Sequence, residues 1–144
     1  MILDAQALFS DAQAITAAAI STNIIDLGAV RDIGTGSDLY VFVTVDVALT
    51  DSGSDSTVTV SLYGDSTTTI TPDGSDTLLT IPATAAAGQK YFAKLDPGLA
   101  ALQYRYIALY YTPNNGNLTT GSFTAGLVVG IDKVKIFADN ITIS

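Results

Sequence analysis

The chain contains no cysteine, histidine, glutamate or tryptophan in its 144 residues. Each absence removes a class of chemistry. Without cysteine there are no disulfides and no thiolate metal sites. The redox compartment stays open, because a chain without thiols folds equally well inside or outside a cell. Without histidine, Ser-His-Asp triads and imidazole metal sites are excluded. Asp pairs, Lys, Tyr and Ser are what remain for catalysis. All 14 acidic residues are Asp, set against six basic ones, for a formal net charge of −8. That balance argues against direct contact with nucleic acid, which needs clustered Lys and Arg; here they are scattered from Arg31 to Lys135. No run of about 18 apolar residues occurs, so no transmembrane helix is predicted. Met1–Ile20 is Ala-rich, but its first residues lack Lys and Arg, and Asp4 and Asp11 interrupt the apolar stretch. It does not read as a secretory signal.

What is present favours strands. A length of 144 residues fits one domain. Asp, Thr and Ser suit turns and pleated surfaces, where Glu would have suited helices. Leu39, Val41, Val43, Val45, Val47 and Leu49 alternate along one face, while Tyr40 and Phe42 make the first half of that strand apolar on both faces, which implies an outer cover. Thr57–Tyr63 alternates again, with Val58, Val60 and Leu62 inward and Thr57, Thr59 and Ser61 outward. With the short loop Asp51–Ser56 between them, these two runs read as a β-hairpin. Thr77–Ile81 and Tyr91–Leu95 are short strands, and Ala83–Gly88 is a helical turn or a loop. Tyr104–Thr112, apolar or aromatic on both faces, reads as a central strand. Pro113-Asn-Asn-Gly116 reads as a tight hairpin reversal into a strand carrying Phe123, Ala125, Leu127, Val129 and Ile131. Gly126 and Gly130 on the other face of that strand leave room for close approach or a bulge. Val134–Ile143 reads as a last strand. About seven to nine short strands separated by turns are the pattern of an all-β, antiparallel β-sandwich or a barrel.

No motif for catalysis survives inspection. Arg31-Asp-Ile-Gly-Thr-Gly-Ser37 has Ile33 where an aspartic-protease loop needs Thr or Ser, and its glycines are too few for a phosphate cradle. Asp51 and Asp55 could ligate calcium, as could Asp73 and Asp76, but neither pair has a terminal bidentate acid, so solvated turns are the better reading. Tyr104, Tyr106, Tyr110 and Tyr111 suggest a stacking platform for sugars or bases; core or protein interface is the more ordinary role of aromatics in a central strand. The sequence thus predicts a protein that is not an enzyme and has no catalytic residue, cofactor or metal.

Several ordered stretches carry a resemblance. Met1-Ile-Leu-Asp-Ala-Gln-Ala-Leu-Phe-Ser-Asp-Ala-Gln-Ala-Ile-Thr16 resembles the start of the capsid cement, or decoration, proteins of short-tailed double-stranded DNA phages. Ile25-Asp-Leu-Gly28, Arg31-Asp-Ile-Gly-Thr-Gly36, Tyr110-Tyr-Thr112 and the ending Phe137-Ala-Asp-Asn-Ile-Thr-Ile143 resemble them as well. The likeness runs from the first residues to the last ten. It implies a jelly-roll-like sandwich on the outer surface of a virion capsid, made in the host cytoplasm. The implied partners are the major capsid protein and further copies of the chain, as a dimer or trimer, with no direct nucleic-acid contact and no membrane. A tail or fibre domain binding host glycans is the alternative, and an Asp-based hydrolase is a third reading.

The expected layout is an N-terminal arm over residues 1–20, extended or partly helical, followed by one β-sandwich domain over 21–144. Ile2, Leu3, Leu8 and Phe9 of the arm need a cover, which is the sandwich itself, a neighbouring subunit or the capsid. Together with Tyr40, Phe42 and Phe137 they are the candidate protein-interface residues. The apolar surplus at Tyr40, Phe42 and the tyrosine strand also predicts self-association.

Overall fold

The computed structural model describes residues 8–26, 39–96 and 98–129. Its strands are β1 (Leu8–Ala14), β2 (Ala19–Ile20), β3 (Ile25–Asp26), β4 (Leu39–Thr50), β5 (Thr57–Asp65), β6 (Gly74–Ile81), β7 (Lys90–Leu95), β8 (Tyr106–Asn114) and β9 (Thr120–Val129). One short 3-10 turn, Ala100–Gln103, interrupts the β pattern. Every pairing among the described residues is antiparallel. A four-stranded sheet runs β1-β9-β4-β7, and a five-stranded sheet runs β2-β8-β5-β6 with β3 also on β8. The two sheets enclose one core, so the fold is the all-β sandwich that the composition predicts.

Connectivity makes the sandwich a jelly roll. β2 and β3 follow one another along the side of β8 that β5 leaves open, so they act as one interrupted edge strand. Four strands then face four. Among the described residues only β5 and β6 are both consecutive in the chain and paired; with β2 and β3 taken as one strand, every other link between described strands crosses between sheets. Such crossings are what two Greek keys require.

The alternation written into β5 is obeyed in full. Val58, Val60 and Leu62 have no exposed surface, and the residues between them are half-buried. Val41, Val43 and Val45 of β4 share one core with Phe9 of β1, Phe123 of β9 and Ile15, and the opposite sheet contributes Ile81, Ile107, Leu109 and Tyr111. Fully burying side chains of this size is worth about 1.5–3 kcal/mol each before chain entropy is charged against it.

Several sequence expectations are corrected here. β4 and β5 are not a hairpin, because they belong to different sheets; Asp51–Ser56 is a corner between layers. The same holds for Pro113–Gly116. Asn115 and Gly116 do take positive φ, 69° and 105°, but the turn hands the chain from β8 in one sheet to β9 in the other. Val47 breaks the inward set of β4 at 47% exposure, since the β4–β9 register shifts on either side of it. Residues 8–20 are no arm. β1 hydrogen-bonds along β9 and β2 along β8, so this stretch supplies two edge strands of the sandwich, extended rather than helical. β1 carries bulges that turn both Phe9 and Ser10 inward, which destroys the period-two signal. The expected strand Val134–Ile143 lies outside the described residues.

Two glycines are required by close approach. Gly64 and Gly74 pair across the β5–β6 hairpin, and the 3-10 turn rests on them. A Cβ at Gly64 would stand 2.1 Å from the Ala101 carbonyl oxygen, and one at Gly74 2.6 Å from that of Ala100. The Asp76 carboxylate holds the turn there by accepting the Ala101 N–H at 2.9 Å.

Candidate functional site

The outward side of the five-stranded sheet gathers Tyr63, Tyr106 and Tyr110 with one cation, Arg105. Because Ile107, Leu109 and Tyr111 of β8 point into the core, Tyr106, Ala108, Tyr110, Thr112 and Asn114 point away from it. On β5 the outward set is Thr57, Thr59, Ser61 and Tyr63. Register places Tyr63 opposite Ala108, Ser61 opposite Tyr110, Thr59 opposite Thr112 and Thr57 opposite Asn114. Small Ala108 and Ser61 make room for the two large rings beside them. The rings of Tyr63 and Tyr110 stack at 4.8 Å between centroids and 11° between planes. Burial, and then the neighbouring Tyr110, raise the pKa of the Tyr63 phenol.

One end of this strip is cationic. The Arg105 guanidinium lies 5.0 Å from the centre of the Tyr106 ring. The same guanidinium donates to both carboxylate oxygens of Asp26 on β3, at 2.8 and 3.0 Å. At the other end the Asn114 side-chain amide donates to the hydroxyls of Thr57 and Thr59, at 3.0 and 2.9 Å. β6 adds exposed Ser75, Thr77 and Thr80 alongside.

One face of each of these three rings is thus already in use. Tyr63 covers Tyr110, and Arg105 covers Tyr106. The strip also carries the hydroxyls of Tyr63, Tyr106 and Tyr110. It is also poor in acid for so acidic a chain. Asp26 is paired with Arg105, and Asp65 at the strip's end is buried, its carboxylate accepting from Thr67 and Thr71.

The residues singled out from sequence fall in different places. Ile2, Leu3 and Phe137 lie outside the described residues. Phe9 is core, with no exposed surface, and is no interface residue in this fold. Leu8, half-buried on β1, sits opposite Gly126 of β9, which sits opposite Phe42 of β4, which in turn faces Phe92 of β7. These four make one row across the outward side of the four-stranded sheet. Phe42 in that row is covered, at 2% exposure, as the two-faced apolar pattern of β4 implied, and Tyr40 is half-buried. Tyr111 belongs to the core and Tyr104 lies before β8, its hydroxyl donating to the Asp73 carbonyl at 3.3 Å. Tyr63 and Arg105 were missed. Tyr63 continues the outward series Thr57, Thr59, Ser61, so alternation alone would have placed it beside Tyr110.

The proposed cation loops are tied internally. Asp51 accepts the backbone N–H groups of Gly53 and Ser56, at 3.1 and 3.3 Å. Asp76 serves the 3-10 turn. Among the described residues no three acidic side chains converge on a point that could hold a metal ion.

The model of the Bbp16 family matches residues 9–127. The chain belongs to the Bbp16 family. The family is phage-related, and its match opens in β1 and closes in β9, so it covers the sandwich from first strand to last. No curated protein matches the chain.

Proposed function

We propose that this Bbp16-family chain is a capsid cement protein: a non-catalytic structural protein on the outside of a phage head that bridges major capsid protein subunits. The observation that carries this reading is the family match across the whole sandwich, with its phage association. The resemblance of the chain's beginning and ending to cement proteins supports it, as does a jelly roll whose five-stranded sheet turns three tyrosines outward. In this reading the protein is made in the host cytoplasm, self-associates, and sits on the virion's outer surface. Its acidity keeps it from packaged DNA, since its net charge has the sign of phosphate. Many modest contacts repeated over a shell add up to firm attachment.

A tail or fibre domain that binds host glycans is the second reading, and the tyrosine strip is what suggests it. Sugar stacking needs an open ring face. Tyr63 and Tyr110 each give one face to the other, and Arg105 takes one face of Tyr106, which leaves less open ring for a sugar and favours a protein surface.

Heads assembled without this protein provide the test. Purified protein mixed with them should cosediment saturably, at a fixed ratio to the major capsid protein. Absence of binding, or binding confined to tailed particles, would remove the cement reading.

A further inference from the structure

We propose that the outward face of β8 and β5 is the surface that docks on the shell, and that it takes a protein surface rich in carboxylates and backbone carbonyls. The shell as partner rests on the cement reading; the choice of face and its chemistry rest on the geometry. Tyr, Arg and Asn are the rigid or adaptable groups that recur in well-desolvated protein contacts, and Lys, costly to immobilise, is depleted there. This strip has Tyr63, Tyr106, Tyr110, Arg105 and Asn114 and carries no Lys. Its hydrogen-bonding polarity leans toward donors. The Asn114 amide already donates to Thr57 and Thr59, which leaves each hydroxyl its own hydrogen to give outward. Ring edges carry the positive end of the aromatic quadrupole. Two of the five Arg105 N–H donors serve Asp26, and the guanidinium keeps its charge. Within a chain of net charge −8 this is a donor-rich, acid-poor face, and the complement of donors is a surface of acceptors. The outward side of the four-stranded sheet differs: Lys90 and Lys94 of edge strand β7 stand exposed there.

The experiment is binding to heads of the encoding phage assembled without the protein. It compares the natural chain with Tyr110→Ala, Arg105→Glu, Arg105→Lys and, on the other sheet, Lys94→Glu. Melting of each variant is measured alongside. Tyr110→Ala and Arg105→Glu should each weaken binding by about tenfold or more, the scale of a central contact. Arg105→Lys should weaken it less than Arg105→Glu, and Lys94→Glu should bind as the natural chain does. Should Tyr110→Ala melt early, Arg105→Glu carries the test, because that side chain is 47% exposed and outside the core. If the natural chain binds and the face variants bind equally well, or Lys94→Glu is the one that fails, the face is misassigned while the cement reading stands. If the natural chain does not bind, both fall.

Discussion

The hydroxyl of Tyr111 on β8 lies 2.7 Å from the hydroxyl of Ser10 on β1, buried between the two sheets. Ser10 passes its own hydrogen to the Gln13 side-chain carbonyl at 2.7 Å, so Tyr111 is the donor of the pair. The Tyr111 ring stacks on Phe123 of β9 at 5.4 Å. One residue thus ties the five-stranded sheet to two strands of the four-stranded one. Ser10→Ala would leave a buried phenol without an acceptor and should cost about 1–3 kcal/mol in chemical denaturation. Adding Tyr111→Phe should recover part of that loss, because the orphaned donor is then gone. Strictly additive losses would show that the two hydroxyls do not interact.

The same pair sets an alkaline limit. Burial pushes the Tyr111 phenol above the ordinary tyrosine range, with the Ser10 contact lowering it in part. A folded pKa above the unfolded one means the stabilisation is complete below the ordinary range and is lost as pH rises through that range toward the folded value. Stability should therefore fall steeply in strong alkali, and Tyr111→Phe should flatten the fall. An unchanged profile in the variant would assign the alkaline transition elsewhere.

Asp65 acts in the opposite direction. The Thr67 N–H is the main cause of its lowered pKa, helped by the Thr71 N–H and the Thr67 hydroxyl against the opposing effect of burial. A folded pKa below the unfolded one gives stability that is present above the ordinary aspartate range and lost as pH falls through it. Asp65→Asn should be less stable than the natural chain at neutral pH, and the gap should close in acid. A gap independent of pH would mean the carboxylate's charge is irrelevant to the loop.

Gly64→Ala should destabilise by about 1–3 kcal/mol or more, since the new methyl meets backbone that cannot swing away as a side chain can. Gly74→Ala should behave alike. Urea titration that found either change neutral would contradict the seating of the Ala100–Gln103 turn on this hairpin.

Much of the fold can be read from residue order, and the failures have identifiable causes. Val58, Val60 and Leu62 announce their face because one side of β5 is dry and the other open. Loop length between β4 and β5 suits a hairpin, yet it also suits a corner between layers, and only pairing partners far along the chain tell the two apart. The N-terminal stretch looked armlike because bulges at Phe9–Ser10 and a left-handed Ala12 (φ 51°) erase the alternation. For the docking face, Tyr110 was visible in sequence. Its stacking partner Tyr63, 47 positions earlier, becomes its neighbour only through the β5–β8 register.

Electron microscopy of intact virions, with this protein located by difference against particles that lack it, tests the central claim most directly. The cement reading predicts density spread over the outside of the head at high copy number, on the lattice of the major capsid protein. Density confined to the tail or its fibres, or none on the particle, would contradict it.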